Sequence, residues 1–262
     1  MHTNRKGTMN KTAAFLLSLI TLTLLSFTGS ALAEDSESYF SKTELQLHLD
    51  LDREPYLGEG IFTATLEHFS EWKYGDNFFF IDDEGQPKYS SKSEDIYYEI
   101  APRLSLDRIL GSKVMPLDIL GETYVTVQYN EGNEDFINRV WLSGLSFDFN
   151  FQPNYGFSNF SILLRHEKKQ DVAFQLTYVW GQPFELFGLQ FSTQGFADYW
   201  KNDSHYVFLT EPQLRFHLSN LFGNDNMMSS AVIGTEVEIS HDFFGEDADW
   251  EVNPTIFFAI SF

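Results

Sequence analysis

Charged residues and histidines at every second position are the side chains of this sequence best suited to chemistry. Glu99 and Arg103 lie on one such segment, and residues at even spacing share one face of a strand. Carboxylates and guanidinium groups that meet in a narrow space form ion pairs, which set its width and charge. The alternative is a wall of solvated charges that keeps an interior wet. The candidates for the lining of such a space are His48, Asp50, Tyr97, Glu99, Arg103, Arg215, His217, Glu236 and Glu238.

A serine near a histidine would be the main sign of catalysis. Ser240 and His241 are adjacent, so on a strand they point to opposite faces. Ser105 and His217 lie on different segments, and a contact between them across strands stays open. The sequence has no phosphate-binding glycine loop, no G-x-S-x-G motif, no cysteine and no histidines at metal-ligand spacing. We therefore expect a protein that is not an enzyme and that uses no cofactor or metal.

Apolar and polar residues alternate along most of the chain, which predicts strands with one apolar face. In the first such segment the four leucines from Leu45 to Leu51 share one face, and Glu44, Gln46 and His48 share the other. A strand of about 9–11 residues crosses a bilayer when tilted. About twelve segments of this kind follow one another: Glu44–Asp52, Ile61–Glu71, Asp76–Ile81, Asp95–Leu106, Glu122–Tyr129, Arg139–Phe149, Ser158–His166, Val172–Gly181, Phe187–Trp200, Tyr206–Leu218, Ala231–His241 and Trp250–Phe262.

The last predicted strand indicates what kind of sheet these segments form. Phe258, Ile260 and Phe262 lie on one apolar face, with small residues between them. In lipid an open sheet edge has no water to satisfy it, so the last strand must pair with the first. We predict an all-β fold, an antiparallel transmembrane β-barrel of about twelve strands. Phe258, Ile260 and Phe262 are the expected assembly signal, read by the barrel-assembly machinery.

The first 33 residues predict export. Arg5, Lys6 and Lys11 precede an apolar run, and an A-x-A site ends at Ala33. These features are typical of a cleaved signal peptide over residues 1–33, with translation starting at Met1 or Met9. Residues 34–262 would then form one barrel domain in the outer membrane of a Gram-negative bacterium.

The composition limits the partners. The mature chain keeps all 38 acidic residues but 14 of the 17 basic ones, which gives a formal net charge of −24. This charge excludes a nucleic acid polymer as a partner. We expect outer-membrane lipid, lipopolysaccharide and a small-molecule solute instead, and a monomer. An interfacial aromatic girdle is predicted at Trp141, Tyr178, Trp180, Tyr199, Trp200 and Trp250, and a turn at Gly181-Gln182-Pro183.

A short repeat links the fourth and tenth segments. Glu99–Leu106 echoes Glu211–Leu218, each with a proline and an arginine. In a barrel of twelve strands these segments lie on opposite walls. We therefore expect Arg103 and Arg215 to face each other across the interior, held by Glu99 or by Glu236 and Glu238.

The stretch Glu99-Ile100-Ala101-Pro102-Arg103-Leu104-Ser105-Leu106-Asp107 resembles the E-x-x-P-R-[FL]-S-[IL]-D motif of the nucleoside-specific channel-forming proteins, the Tsx-like family. The segments Phe208–Gln213 and Ile233–Ser240 are similar to segments of uncharacterised relatives of that family. The resemblance implies a twelve-stranded barrel that passes nucleosides through a narrow aromatic-lined pore. The loops of this chain are short, and the family's substrate-contacting aromatic residues have no match here one by one.

These observations favour a passive channel for small polar solutes, with nucleosides as the leading candidate. One alternative is a barrel enzyme that acts on outer-membrane lipid, which a serine–histidine pair on the lipid-facing wall would favour. Another is a surface receptor or structural barrel with a closed lumen, which an absence of conductance would favour.

Overall fold

The described part of the chain is a single sheet that closes on itself. A computed structural model describes residues 39–51, 61–84, 95–133, 139–150, 156–202, 205–222, 227–243 and 250–262. The predicted signal peptide lies outside these residues. The strand segments are β1 (Ser41–Asp50), β2 (Ile61–Trp72), β3 (Gly75–Glu84), β4 (Asp95–Ile100), β5 (Arg103–Ser105), β6 (Leu120–Gly132), β7 (Val140–Phe149), β8 (Phe157–Glu167), β9 (Ala173–Leu186), β10 (Leu189–Asn202), β11 (His205–Thr210), β12 (Gln213–His217), β13 (Ala231–His241) and β14 (Trp250–Ser261).

The first and last strands form the seam of the barrel. All the pairings are antiparallel, and each strand of the described chain has a neighbour on both sides. At the seam Leu47 lies opposite Phe258 on β14 and opposite Ala64 on β2. Closure leaves no open edge along the sheet, which is the condition for a sheet to cross lipid.

The fourteen segments of the described chain make twelve strands. Ile100 of β4 pairs with Phe79 on β3, and Arg103 of β5 pairs with Asp76 on the same strand. Both strands advance by three residues between these two pairs, so the register continues unbroken from β4 to β5. The interruption falls at Pro102, which has no N–H to donate. β11 and β12 join in the same way at Pro212. The predicted fold, a closed antiparallel barrel of twelve strands, is confirmed, and the two strands of the short repeat lie on opposite walls.

The two faces of the sheet differ in polarity, as the alternation predicts. On β1 Leu45 and Leu49 are each 36% exposed, whereas Glu44 and Gln46 are 1% and 2% exposed. The same contrast runs round the barrel. Large apolar side chains face outward, among them Phe62, Ile100, Val127, Trp141, Leu145, Ile162, Phe174, Leu214, Ile233 and Ile256.

One predicted turn is wrong. Gly181-Gln182-Pro183 is not a turn but part of β9, and the chain turns at Phe187 and Gly188, both with positive φ. Pro183 lies beyond the last β8–β9 pair, Phe157 with Gly181, so the β8 side of the strand has no partner there, while Ser192 on β10 lies opposite it on the other side.

The fourth strand ends earlier than predicted. Leu106 begins a short helix, Leu106–Leu110, instead of extending the strand. Ser105 caps this helix, because its Oγ accepts a hydrogen bond of 3.1 Å from the backbone N–H of Arg108. A second short helix spans Ser219–Phe222, and a 3₁₀ turn spans Met227–Ser230.

Within the described ranges, helices long and apolar enough for a membrane span are absent.

Candidate functional site: the barrel interior

The interior of the barrel is lined with polar side chains from every part of the sheet. Most inward-facing residues are polar and bury one another, and three small apolar clusters lie among them, centred on Leu142, Val207 and Phe257. Three arginines of the described chain lie among them. The buried polar residues of the lining include Glu44, Gln46, His48, Asp76, Ser105, Thr126, Asn130, Ser146, Asn159, Ser161, Gln175, Gln213, Arg215, Ser240, Asn253 and Thr255.

Arg215 forms the centre of the first interior network. Its guanidinium donates a hydrogen bond of 2.6 Å to Glu44 on β1 and another of 2.6 Å to Gln213. Arg215 lies opposite Gly234, which has no side chain to block the way, and its guanidinium passes 5.3 Å from the Phe257 ring. Because β13 and β14 lie between β12 and β1, only a path through the interior joins these groups. Arg215 and Glu44 are both about 2% exposed, so this is a buried ion pair.

His48 belongs to the same network. Its Nε2 donates a hydrogen bond of 3.0 Å to Oε1 of Gln46. The ring lies 3.5 Å from Glu236 and stacks on Phe257 with ring centroids 5.0 Å apart. Gln213 donates to Glu236 at 2.6 Å and thereby joins the histidine to the arginine. The network therefore ties β1, β12, β13 and β14 together across the seam.

Arg103 forms a second network on the opposite wall. Its guanidinium donates twice to Asp76, at 2.8 and 2.7 Å, and once to Asp148 at 3.1 Å. It lies 4.2 Å above the Tyr124 ring, whose hydroxyl donates to Asp148 at 3.0 Å. Asn159 donates to the same carboxylate at 2.9 Å. Two carboxylates thus share one guanidinium, and this network keeps a net negative charge.

Arg165 forms the third network, nearer the end of the barrel away from the termini. It donates to Glu167 at 2.8 Å and to Gln175 at 2.7 Å, and its guanidinium lies 4.5 Å from the Trp200 ring. Trp200 is 5% exposed and packs against Val207. The predicted place of Trp200 in the outer girdle is therefore wrong. Tyr199 faces outward, and its neighbour must face inward because successive side chains alternate.

Carboxylates crowd the space between these networks. Glu99 accepts hydrogen bonds from Tyr97 and, at 2.8 Å, from Asn130. Asp82 on β3 and Glu236 on β13 lie on facing walls and are close enough to interact electrostatically. Carboxylates from facing walls that sense each other indicate a narrow interior with an excess of negative charge.

The predicted lining residues fall into separate groups. His48, Arg215 and Glu236 share one network, and Tyr97 contacts Glu99. Arg103 forms its own network with Asp76 and Asp148, and the other three members make separate contacts. Asp50 accepts from Thr255 at 2.5 Å, Glu238 accepts from Asn253 at 2.9 Å, and His217 shares a hydrogen bond of 2.9 Å with Ser192.

The predicted partners of the two arginines are wrong. Glu99 lies four residues from Arg103 on one strand, a separation of about 13 Å, whereas Asp76 lies directly opposite Arg103. Glu236 lies opposite Gln213 and not opposite Arg215, so the guanidinium reaches past it to Glu44.

The serine and histidine candidates do not meet. Ser105 caps a helix on the wall opposite His217, and His217 contacts Ser192 instead. The Ser192–His217 pair faces the interior and not the lipid. His241 lies 5.0 Å from Trp250 on the outer face, while Ser240 is buried on the inner face. Among the described residues no group of three or more histidine, aspartate or glutamate side chains is arranged to hold a metal ion.

Sequence reasoning left out several interior residues, namely Glu44, Gln46, Asp76, Asp148, Arg165, Gln213 and Phe257. Glu44 and Gln46 belong to the predicted polar face of the first strand, which could have identified them. Arg165 shares a face of its predicted strand with the polar Ser161, because residues at even spacing lie on one face, whereas the adjacent His166 lies on the other. Phe257 gives no such signal, because an aromatic residue on the inner face breaks the polar pattern.

A closed antiparallel barrel with an apolar outer surface and a polar, ion-paired interior defines the class of transmembrane β-barrels. Within that class, the chain belongs to the family described as a domain of unknown function, DUF5020, whose family model matches residues 42–262. This match does not extend to the nucleoside-specific channels, so the resemblance to them stays a prediction. The search of the curated proteins found no match.

Solved structures of similar architecture include two porins. The KdgM porin has 8% identity and a TM-score of 0.47, over 84% of this chain and 99% of that one. The NanC porin has 8% identity and a TM-score of 0.49, over 83% and 98%. The outer membrane protein Omp33 of Acinetobacter baumannii has 11% identity and a TM-score of 0.39, over 84% and 97%.

Proposed function

We propose that this protein is a passive channel of the bacterial outer membrane for small polar solutes. The observation that carries the proposal is the interior of the barrel, which is lined mainly by polar side chains and contains three arginines held by carboxylates. Such a lining stays hydrated and presents fixed charges to a solute that passes. A barrel with a purely structural role would be at least as stable with apolar side chains in place of buried ion pairs.

The proposed path is narrow. Barrels of eight strands have interiors that side chains fill, whereas those of sixteen or more leave a wide channel. At twelve strands, the guanidinium groups of Arg103, Arg165 and Arg215 extend across part of the interior. The excess of carboxylates would favour cations and neutral solutes over anions.

Nucleosides are the solutes that we propose first. Aromatic rings lie on the inner face, among them Phe80 and Tyr97 with centroids 5.8 Å apart and Trp200 beside Arg165. Such rings would stack on a base, while neighbouring carboxylates would accept hydrogen bonds from ribose hydroxyls. The resemblance in the segment Glu99–Asp107 supports the same substrate class.

Assembly follows from the same proposal. The chain would be exported by its signal peptide, cleaved after Ala33, and inserted as a monomer by the barrel-assembly machinery. Both Ser41 and Ser261 lie at one end of the barrel, which would then face the periplasm. We call this the termini end and the other the far end, which would face the outside of the cell.

The proposed channel is tested by liposome swelling with the purified protein. Nucleosides are compared with sugars of similar size, and empty liposomes provide the control. Faster swelling with both solutes supports a channel, and a preference for nucleosides supports the substrate class. Equal rates would reject the nucleoside preference alone, whereas rates equal to those of empty liposomes would reject the channel and favour a closed barrel.

A lipid-acting enzyme is the second alternative. It requires a nucleophile and a base on the wall that faces lipid. The Ser192–His217 pair faces inward, which does not favour this function. Release of fatty acid from outer-membrane lipid by the purified protein, abolished in Ser192→Ala, would favour the enzyme over the channel.

A further inference from the structure

Within the ranges that the structure describes, the arginines and lysines on the outer surface of the far end lie on one arc of the barrel. The basic side chains that the described chain places there are Arg139, Lys168, Lys169 and Lys201. They lie on or next to β7, β8, β9 and β10, which are consecutive strands. In a chain with a net charge of −21 before cleavage, a local cluster of positive charge needs a separate explanation.

The backbone brings these residues together. The amide of Lys168 donates to the carbonyl of Arg139 at 2.9 Å, which joins the start of β7 to the end of β8. Lys169 follows in the β8–β9 turn, in the left-handed conformation with φ of 70°. Lys201 follows Trp200, which pairs with Gln175 on β9.

Three of the four side chains are available to a ligand. Arg139 is held by Glu131 at 2.6 Å. Glu131 also accepts hydrogen bonds from Tyr129 and Tyr98. Lys168, Lys169 and Lys201 are exposed, and within the described ranges none of the three takes part in an ion pair.

An apolar groove runs down the outer surface of the same arc. Its volume is about 600 Å³, and its lining changes from polar to apolar along the strands. Lys201 and Asp171 lie at its far-end rim, whereas Ile162 and Leu176 lie deeper, at the level that faces hydrocarbon. Stacked rings of Tyr199 and Tyr206, with centroids 5.5 Å apart, border it. The groove is further lined by Val172, Ala173 and Phe174.

The geometry points to a binding site for lipid A, the phosphorylated and acylated part of lipopolysaccharide, in which an acyl chain lies in the groove and the phosphates contact the three lysines. Lysines bind phosphate by charge-assisted hydrogen bonds, and the apolar lining suits a hydrocarbon chain. Asp171 would repel a phosphate at the rim, which directs the head group towards Lys168 and Lys169. The inference rests on the proposed membrane and orientation, and not on transport.

The site is tested by native mass spectrometry of the detergent-purified protein titrated with lipid A. The variant Lys168→Ser/Lys169→Ser/Lys201→Ser is expected to bind lipid A about a hundredfold more weakly. Leu176→Trp fills the groove without a change of charge and should also weaken binding. The matched control, Lys73→Ser/Lys113→Ser, removes exposed lysines at the termini end and should bind as the unchanged protein does.

Two further arms identify the ligand. Lipid A without phosphate should bind the unchanged protein as weakly as lipid A binds the triple variant. Equal affinity of the triple variant and the unchanged protein would overturn the site. Phosphatidylglycerol bound as tightly as lipid A, with the same dependence on the three lysines, would overturn lipid A as the ligand. Heat-modifiable gel migration verifies that each variant is folded, and liposome swelling tests the channel separately.

Discussion

At the scale of the residue, each of the three interior arginines of the described chain is paired with a carboxylate. Arg215 and Glu44 are both almost inaccessible, and neither would be tolerated there alone. Arg103 is more accessible, at 18%, and has two carboxylates around it. The first arginine therefore has mainly a structural role, and the second has more contact with the path of a solute.

The buried pair gives the first prediction. Arg215→Met removes the buried partner of Glu44 and leaves that carboxylate with Lys42, at 2.9 Å, as its remaining ion-pair partner, and the free energy of unfolding should fall by up to about 3–5 kcal/mol. The double variant Arg215→Met/Glu44→Gln removes both charges and should recover most of that loss. The measurement is urea unfolding of the protein in lipid vesicles, followed by tryptophan fluorescence. A double variant as unstable as the single one would show that the pair does not act as a unit.

The second prediction concerns ion selectivity. Arg103→Ala and Arg215→Ala each remove positive charge from an interior rich in carboxylates, so conductance and cation preference should both rise. The larger effect is expected for Arg103, since it is the more accessible of the two. Single-channel conductance and reversal potentials in a salt gradient measure both quantities. Arg139→Ala, outside the barrel at the rim, is the control. Unchanged selectivity in both interior variants would remove these arginines from the conducting path.

At the scale of the element, the barrel depends on the close approach of neighbouring strands. Gly144 of β7 faces inward, and a Cβ on it would lie 2.1 Å from the carbonyl oxygen of Ile162 on β8. No side chain is tolerated at that distance without separating the strands. The adjacent Ser143 points outward to lipid, where there is room for a larger residue.

This close approach gives the third prediction. Gly144→Val should destabilise the β7–β8 pairing by about 1–3 kcal/mol or prevent assembly, because the added atoms overlap a backbone oxygen. Ser143→Val is the matched control and should assemble normally. Heat-modifiable gel migration and the urea midpoint report the result. Normal stability in Gly144→Val would mean that β7 and β8 are further apart than described.

The register of β1 gives the fourth prediction. A cysteine at Leu47 should react only with lipid-soluble thiol reagents, whereas one at His48 should react with small charged reagents from water if the path is open. One residue of slip exchanges the two faces, so the comparison is a direct test of the register. The reverse labelling would show that the strand is paired one residue out of place.

Alternation explains why the sequence predicts so much of the sheet and so little of the interior. A period of two is a local property, and it was sufficient for twelve strands and their faces. The partner of Arg215 is separated from it by 171 positions and depends on closure of the seam. Trp200 was misplaced because only its position next to Tyr199, and not its residue type, determines its face. Pro183 resembles a turn residue because the sequence does not show that the β8 side of the strand lacks a partner at this position.

At the scale of the whole molecule, the seam between β14 and β1 decides whether the sheet becomes a barrel. Beyond the last strand pair, Phe262 extends the ladder by two backbone hydrogen bonds with Thr43, at 2.9 and 3.3 Å. Its side chain is 73% exposed and contributes little to packing inside the protein. The backbone of Phe262 thus has a part in closure, whereas its ring is exposed.

The fifth prediction separates these two contributions. Deletion of Phe262 removes the two bonds and the ring, whereas Phe262→Ala removes only the ring. If the ring is part of the assembly signal, both variants should show much lower outer-membrane levels. If only closure matters, the alanine variant should insert normally while the deletion fails. Phe258→Arg, on the lipid face of the same strand, adds a cost of about 2–4 kcal/mol near the membrane centre and should fail as well. Normal levels and heat-modifiable migration in the deletion would exclude Phe262 from both roles, and the barrel would then have to close through the pairs from Glu44 to Asp50 alone.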